Sequence, residues 1–271
     1  MKSCVTIALV PEIKTGPWIY WNDLEASMAK AADLGFDAVE LFTASADAVP
    51  ADRLAALADQ FGLKIAAVGT GAGKVLHGLT LTDPDPAIRS KAVAFISDMM
   101  AFGATFGAPA IIGSMQGNAV SGIEKKQALA WLAEGLNTLG KRAEDQGVKL
   151  IYEPLNRYET NLINQLETGV SFINSLETRS VVLLADLFHM NIEETSLAES
   201  IRSAGSHIGH VHFADSNRRP IGRGHTAMND VATALKEIDY QGYISAEAFP
   251  WPDSDQAATQ TITSYRQYFS S

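Results

Sequence analysis

The sequence predicts an α/β protein in which the 271 residues form one (β/α)8 barrel, the TIM-barrel fold. Short runs of β-branched and apolar residues alternate with longer helical patterns, and eight such pairs fit the roughly 250 residues typical of this barrel. A doubly wound open sheet would usually carry a Gly-rich phosphate fingerprint after its first strand, and the segment LVPEIKTGPW has none. Composition never shifts and no linker-like stretch occurs, so residues 1–271 are expected to be a single domain.

Each predicted strand is followed by a predicted helix. The strands are expected at residues 4–10, 37–42, 64–69, 109–113, 148–153, 181–186, 208–213 and 242–247, and the helices at 22–34, 50–61, 85–106, 121–146, 168–178, 195–204, 228–239 and 253–268. Asn22 precedes an acidic first turn, and Ser121 with Glu124 has the spacing of a capping box. Helices are therefore expected to start at Asn22 and at Ser121. Glycines such as Gly35 and Gly147 lie where helices are expected to end.

Composition and charge exclude several classes of protein. Hydrophobic residues make up 46% of the chain and charged residues 19%, which is ordinary for a packed globular protein and not for a disordered one. The single cysteine, Cys4, cannot form an internal disulfide, and no apolar run approaches the ~18 residues of a membrane span. The net charge of −10, without a block of Lys and Arg, argues against a nucleic-acid partner because phosphate binding needs cationic side chains. We expect a cytoplasmic protein that acts on a small molecule and binds neither membrane nor nucleic acid.

Ionisable side chains lie at the ends of the last four predicted strands, namely Glu153, Asp186, His212 and Glu247. Strand ends meet at one mouth of this barrel, where its active sites lie. Three carboxylates brought together there would repel one another unless they shared a cation or a proton. Carboxylate oxygens with one imidazole nitrogen suit Mn²⁺, Mg²⁺ or Co²⁺ better than a structural Zn²⁺. The four residues therefore predict a site for one divalent metal ion, although any one of the acids alone could be a helix cap or a loop ion pair.

Four segments in the second half carry a family resemblance: IYEPLNRYE (151–159), LLADLFHMNIEE (183–194), GHVHFADSNRRPIGRGH (209–225) and GYISAE (242–247). They resemble the ketose 3-epimerases, such as D-tagatose and D-psicose 3-epimerase, within the xylose isomerase-like TIM barrels. The close motifs cover residues 150–250, whereas the first half agrees only in layout.

The resemblance implies the metal ligands Glu153, Asp186, His212 and Glu247, with Mn²⁺ as the expected ion and Mg²⁺ or Co²⁺ as alternatives. It also implies that three further residues hold the O1 to O3 oxygens of a sugar substrate: Glu159, His189 and Arg218. A homodimer or homotetramer is implied as well.

The chemistry of these residues agrees with a sugar epimerase. A metal that polarises a C2 carbonyl lowers the pKa of the C3 proton by stabilising an enediolate. If Glu153 removes that proton and Glu247 returns one to the other face, or the reverse, the product is the C3 epimer.

Three other activities of this barrel are alternatives. Abstraction at C1 would give an aldose–ketose or hydroxypyruvate-type isomerase, and elimination of water would give a 3-dehydroshikimate-type dehydratase. A DNA hydrolase of the endonuclease IV type would need further histidines after the third and fourth strands, where Gly69–Gly73 and Gly113–Ser114 stand.

Some weaker signals have two interpretations each. His210 could support a metal ligand, or it could be a hydrogen-bonded residue of the barrel interior. Aromatic residues in the first and last loops, among them Trp18, Phe249 and Trp251, could stack on a sugar or pack within a loop or subunit contact. Arg219 and Arg223 with Arg218 form a basic cluster that would suit an acidic or phosphorylated sugar.

Overall fold

The computed structural model describes residues 1–269, and in them the strands form a closed parallel barrel. Every pairing between neighbouring strands is parallel, and the last strand pairs with the first, which closes the barrel. The strands are β1 (Lys2–Leu9), β2 (Tyr20–Trp21), β3 (Ala38–Thr43), β4 (Lys64–Gly69), β5 (Ala110–Ile112), β6 (Leu150–Tyr152), β7 (Val181–Asp186), β8 (Ile208–His212) and β9 (Tyr243–Ala246). The two-residue β2 lies beside β1 outside the ring of eight, and the predicted (β/α)8 barrel is confirmed.

Helices surround this barrel. They are α1 (Leu24–Leu34), α2 (Ala51–Phe61), α3 (Ala72–His77), α4 (Pro86–Ala104), α5 (Lys125–Gln146), α6 (Leu166–Asn174), α7 (Leu187–Glu193), α8 (Leu197–Ala204), α9 (Met228–Glu237) and α10 (Ser254–Phe269). The eight predicted helices correspond to all of these except α3 and α7, which are short and directly follow strand ends. Within residues 1–269 no helix has the length and apolar character needed to cross a bilayer.

Two predicted helix starts are wrong. The cap of α1 is Asp23 and not Asn22, because the Asp23 carboxylate accepts the N–H of Ala26 at 3.0 Å. The expected capping box does not form at α5, where Glu124 stands at the cap without a side-chain hydrogen bond. Gly122 adopts a φ of 82°, which turns the chain and leaves Ser121 outside the helix.

The fifth predicted helix differs from the observed one at both ends. The helix expected at 168–178 is α6, which begins two residues earlier and stops at Asn174, where the Ser175 hydroxyl donates to the carbonyl of Phe172. Such a side-chain bond satisfies one of the carbonyls that a helix end leaves free.

Successive side chains along each strand point alternately into the barrel interior and toward the surrounding helices. Ala67, Ile111, Ile151 and Leu184 form one buried apolar cluster. Ile151 and Leu184 each precede an acidic residue by two positions, so this apolar layer lies beneath the carboxyl ends of β6 and β7.

Strand register brings the ionisable side chains of neighbouring strands together. In the β7–β8 pair, Leu184 lies opposite His210 and Asp186 lies opposite His212. In the β8–β9 pair, His212 lies opposite Ser245, two residues before Glu247. The barrel therefore places its ionisable residues side by side at one mouth.

Candidate active site

The structure brings together the four residues that the sequence predicts as metal ligands. Nδ1 of His212 lies 3.2 Å from Oδ2 of Asp186, 3.3 Å from Oε2 of Glu247 and 3.6 Å from Oε1 of Glu153. One donor atom from each residue lies within 4.8 Å of every other. These residues come from the ends of four consecutive strands, β6 to β9, so the cluster depends on the closed barrel.

Glu153 shows that this donor set fits a cation. Its Oε1 is buried and has no hydrogen-bond partner. Burial raises the pKa of Glu153 to about 8, and the nearby charges of Glu247 and Asp186 add to the rise, so that the opposing effect of His212 is outweighed. A buried carboxylate oxygen without a partner, surrounded by two further carboxylates and an imidazole, is suited to a divalent ion.

The charges of the other predicted ligands are balanced by close neighbours. Burial disfavours the charged form of Asp186, but the Arg218 guanidinium, whose Nη1 lies 2.7 Å from Oδ2 of Asp186, outweighs it and holds the pKa of that carboxyl well below its usual range. Burial likewise disfavours the imidazolium of His212, yet the carboxylates around it, Glu247 first, raise the pKa of His212 well above its usual value. Ion pairs with Arg218 and His212 thus offset the negative charge of Asp186 and Glu247.

Sequence reasoning missed Glu40 of β3. Its Oε1 lies 3.2 Å from Nε2 of His212, and its Oε2 lies 2.7 Å from Nε2 of His210. All three side chains are buried. Glu40 therefore links His210 to the predicted ligand His212. The available signal was an acidic residue within an otherwise apolar strand.

The residues predicted to hold a sugar lie at the edge of the ligand cluster. Nε2 of His189 is 3.7 Å from both Oε1 of Glu153 and Oδ2 of Asp186. Oε1 of Glu159 lies 3.8 Å from Nδ1 of His189 on the ring's other side. Arg218 also forms an ion pair through Nη2 with Glu247. All three of the predicted contacts line the same cavity as Glu153, His212 and Glu247.

A loop after β8 carries Arg218 in a constrained conformation. Arg218 has a φ of 62°, which is uncommon for a residue with a side chain. Its N–H donates to the carbonyl of Asp215 at 2.8 Å, and its carbonyl accepts the N–H of Phe249 at 2.7 Å. The Phe188 ring lies 4.7 Å below its guanidinium. The side chain that bridges two predicted ligands is therefore fixed by backbone and packing.

The Asp215 carboxylate organises that loop. It accepts five backbone N–H groups at 2.7–3.0 Å, those of Ser216, Gly222, Arg223, Gly224 and Thr226. The side chain is only 2% exposed. Such a carboxylate satisfies donors that a loop would otherwise leave to water.

The cavity has a volume of about 530 Å³ and an aromatic wall facing the ligands. Trp18 and Phe42 stack with ring centroids 4.3 Å apart, and both line the cavity. Phe249 lines it at the exposed rim. We call Trp18, Phe42 and Phe249 the aromatic wall.

The remaining members of the basic cluster lie outside the cavity lining. Arg219 and Arg223 lie over the ring of Trp251, at 4.2 and 5.6 Å from its centroid. Of the three arginines, only Arg218 is among the residues that line the cavity.

Glycines occupy the positions where a zinc-dependent DNA hydrolase would need histidines. Gly69 at the end of β4 and Gly71 just after it line the cavity, and Gly113 lines it after β5. A Cβ atom on Gly113 would overlap Oε2 of Glu153. This glycine leaves room for the Glu153 carboxylate.

Known proteins resemble the chain over nearly its whole length. The model of the xylose isomerase-like TIM barrel family matches residues 28–267. D-psicose 3-epimerase from Ruminiclostridium cellulolyticum is 32% identical over 244 residues, which cover 86% of this chain and 82% of that protein. D-psicose 3-epimerase from Agrobacterium fabrum is 31% identical over 243 residues, covering 87% of this chain and 80% of that protein. A crystal structure of D-psicose 3-epimerase with D-tagatose from Clostridium cellulolyticum H10 matches with a TM-score of 0.82 at 28% identity and covers 99% of each chain. The resemblance carried by the motifs of the second half is confirmed.

Proposed function

Because the chain belongs to the xylose isomerase-like TIM barrel family, we propose that it is a divalent-metal-dependent isomerase that inverts the configuration of a ketose at C3. The observation that carries the proposal is the convergence of Glu153 and Glu247 on the same nitrogen of His212. These glutamates follow β6 and β9, with two strands between them, so they approach a substrate in the mouth from different directions. Epimerisation needs such a pair, because a proton leaves one face of C3 and returns to the other.

The proposed metal ligands are Glu153, Asp186, His212 and Glu247. Mn²⁺ is the first choice, with Mg²⁺ or Co²⁺ as alternatives, because the donors are mainly carboxylate oxygens with one imidazole nitrogen. When bound, the cation would polarise the C2 carbonyl and stabilise the negative charge that develops when C3 loses its proton.

In the proposed reaction, one glutamate takes the C3 proton and the other supplies a proton to the opposite face. The roles of Glu153 and Glu247 exchange in the reverse reaction, by microscopic reversibility. His189, Arg218 and Glu159 hold the O1 to O3 oxygens, and this support rests on their place around the ligand cluster. Arg218 in addition keeps Glu247 oriented through their ion pair.

We also propose where the protein acts, how many domains it has and how it assembles. A cytoplasmic location is supported by the one cysteine, Cys4, which is buried and unpaired, since secreted domains more often carry disulfides. A single domain is supported by the one closed barrel, whose strands run from Lys2 to Ala246. A homodimer or homotetramer is supported by the exposed aromatic side chains of Tyr158 and Trp251, because large exposed apolar groups are common at subunit contacts. Sedimentation of the purified protein measures the oligomer directly.

The test of the proposed reaction is proton exchange with solvent. Metal-loaded protein is incubated in D₂O with neutral ketohexoses, ketopentoses, their phosphates and keto-sugar acids, with EDTA-treated protein as control, and products are followed by NMR. We expect deuterium at C3 and a C3 epimer only with metal. Deuterium with an aldose product would make the protein an aldose–ketose isomerase, and loss of water would make it a dehydratase. No exchange with any sugar by folded, metal-loaded protein would refute the proposal.

A further inference from the structure

Asn156 lies beside His189, on the side of the ring that faces away from the ligand cluster. We propose that Asn156 is a positioning residue that fixes His189 as the Nε2–H tautomer, so that His189 donates a hydrogen bond to a substrate oxygen. The substrate contact of His189 rests on the function proposed above. The tautomer rests only on contacts within the chain.

Two donors from residue 156 meet the same nitrogen of His189. The Asn156 side-chain nitrogen Nδ2 lies 2.7 Å from Nδ1 of His189, and the Asn156 backbone N–H donates to Nδ1 at 3.3 Å. Asn156 is 2% exposed and His189 is 3% exposed, so water does not replace these bonds.

The orientation of the Asn156 amide follows from its other two partners. Its Oδ1 accepts the backbone N–H of Tyr158 at 2.9 Å, and a backbone N–H can only donate. Its Nδ2 donates to Oε1 of Glu159 at 3.0 Å, and a carboxylate can only accept. Both contacts place the NH₂ group toward His189. Nδ1 of His189 must therefore be the unprotonated nitrogen, and Nε2 carries the hydrogen.

The Nε2–H group points at the place where the substrate would bind. Nε2 lies 3.7 Å from carboxylate oxygens of Glu153 and Asp186, which is too far for a direct hydrogen bond. The distance is short enough for one substrate oxygen to lie near Nε2 and these carboxylates at once. A donor held there bonds more strongly to an oxygen as that oxygen gains negative charge. Its loss should therefore lower kcat more than it changes KM.

Asn156→Asp tests the positioning role with almost no change in volume. The carboxylate accepts where the amide donates, so we expect His189 to shift toward the Nδ1–H tautomer. We expect kcat to fall on the order of 10²-fold, as for the loss of one oxyanion donor. Asn156→Ala removes the amide donor but leaves the backbone N–H, so the original tautomer should persist and kcat should fall less.

Asn161→Asp is the matched control. Asn161 is exposed in the same loop, and its amide exchanges two hydrogen bonds with the backbone of Ala119 without contacting His189. This variant should keep both the tautomer and kcat of the wild type. His189→Gln identifies the His189 signals among those of the six histidines.

The readout is the long-range ¹H–¹⁵N spectrum of histidine-labelled protein, recorded with Mg²⁺ because Mn²⁺ broadens the signals. The expected wild-type result is an Nε2–H ring at His189. An Nδ1–H ring in the wild type overturns the inference, even if the Asn156→Asp chain does not fold. An unchanged tautomer and kcat in Asn156→Asp overturn it as well. If the tautomer is as expected but no ketose is epimerised, the proposed function fails and the assignment of the ring remains.

Discussion

Replacing Asp215 by Asn should cost the protein much of its stability, although the two side chains have nearly the same shape. Oδ1 of Asp215 accepts the N–H groups of Ser216 and Thr226, and Oδ2 accepts those of Gly222, Arg223 and Gly224. Asn has a single acceptor oxygen. It can retain the three bonds of Oδ2 only by turning its NH₂ group toward the other two donors.

The expected loss follows from these contacts. Two hydrogen bonds to a charged group disappear, at about 1.5–3 kcal/mol each. Ser216 and Thr226 are half-buried, so water reaches their freed N–H groups in part and the lower end of the range applies. We therefore expect Asp215→Asn to lower the free energy of unfolding by about 3 kcal/mol, a large fraction of the 5–15 kcal/mol of a typical protein.

Urea unfolding of both proteins at pH 7 measures the difference. The matched control is Asp23→Asn at the start of α1, where one acceptor oxygen serves a single N–H and Asn caps as well as Asp. That variant should stay within about 0.5 kcal/mol of the wild type. A loss below about 1 kcal/mol in Asp215→Asn would mean that the loop donors find other partners, and the reasoning would be refuted.

The contribution of the Asp215 carboxylate to stability should depend on pH. Burial opposes its ionisation, but the backbone N–H groups of Thr226, Ser216 and Gly224 outweigh burial and lower the pKa of Asp215. A carboxyl whose pKa is lower in the folded state stabilises the protein fully above its unfolded pKa of about 3.9 and loses that contribution as pH falls through the folded value. The stability gap between wild type and Asp215→Asn should therefore narrow below about pH 4. A gap that stays constant down to about pH 2 would contradict the role of the charge.

Three further changes test the site. Glu153→Gln and Glu247→Gln should each abolish deuterium incorporation at C3 while the circular dichroism spectrum stays unchanged. The control Glu167→Gln, at an exposed position on α6, should retain activity. Full rates in both site variants would contradict the mechanism. Gly113→Ala should lower kcat on the order of 10²-fold, because its Cβ displaces the Glu153 carboxylate; an unchanged kcat would show that Glu153 tolerates the shift. Mn²⁺ at about 100 times its Kd should stabilise the protein by about 2.7 kcal/mol, seen as a higher melting temperature that EDTA reverses, and no shift would argue against a metal site.

The barrel and the clustering of Glu153, Asp186, His212 and Glu247 could be predicted because both depend on short-range patterns. Each of these residues ends a β-branched run, and convergence of strand ends is a property of the fold. The short α7 was missed because its seven residues are fewer than the roughly 11–18 over which helical periodicity can be recognised. Its start is set by Asp186, whose Oδ1 accepts the N–H groups of Phe188 and His189 while its Oδ2 faces His212.

The contacts of Glu40 with His212 and of Asn156 with His189 could not be predicted in this way. Glu40 lies 170 residues before His210, and nothing local to either residue links them. Asn156 acquires its role from a tight turn in which its side chain and backbone reach one histidine nitrogen. Such roles depend on tertiary contacts, which periodicity and strand position do not encode.

The division of the site between the two halves of the barrel has a consequence for its evolution. The four predicted ligands lie at the ends of β6 to β9, whereas Trp18 and Phe42 of the aromatic wall belong to the segments after β1 and at the end of β3. Mutations in the early loops can reshape the space around a substrate while the reacting groups keep their positions. A lineage built on this barrel can therefore exchange one sugar for another through inherited changes in its N-terminal half, with the proton-transfer machinery passed on intact.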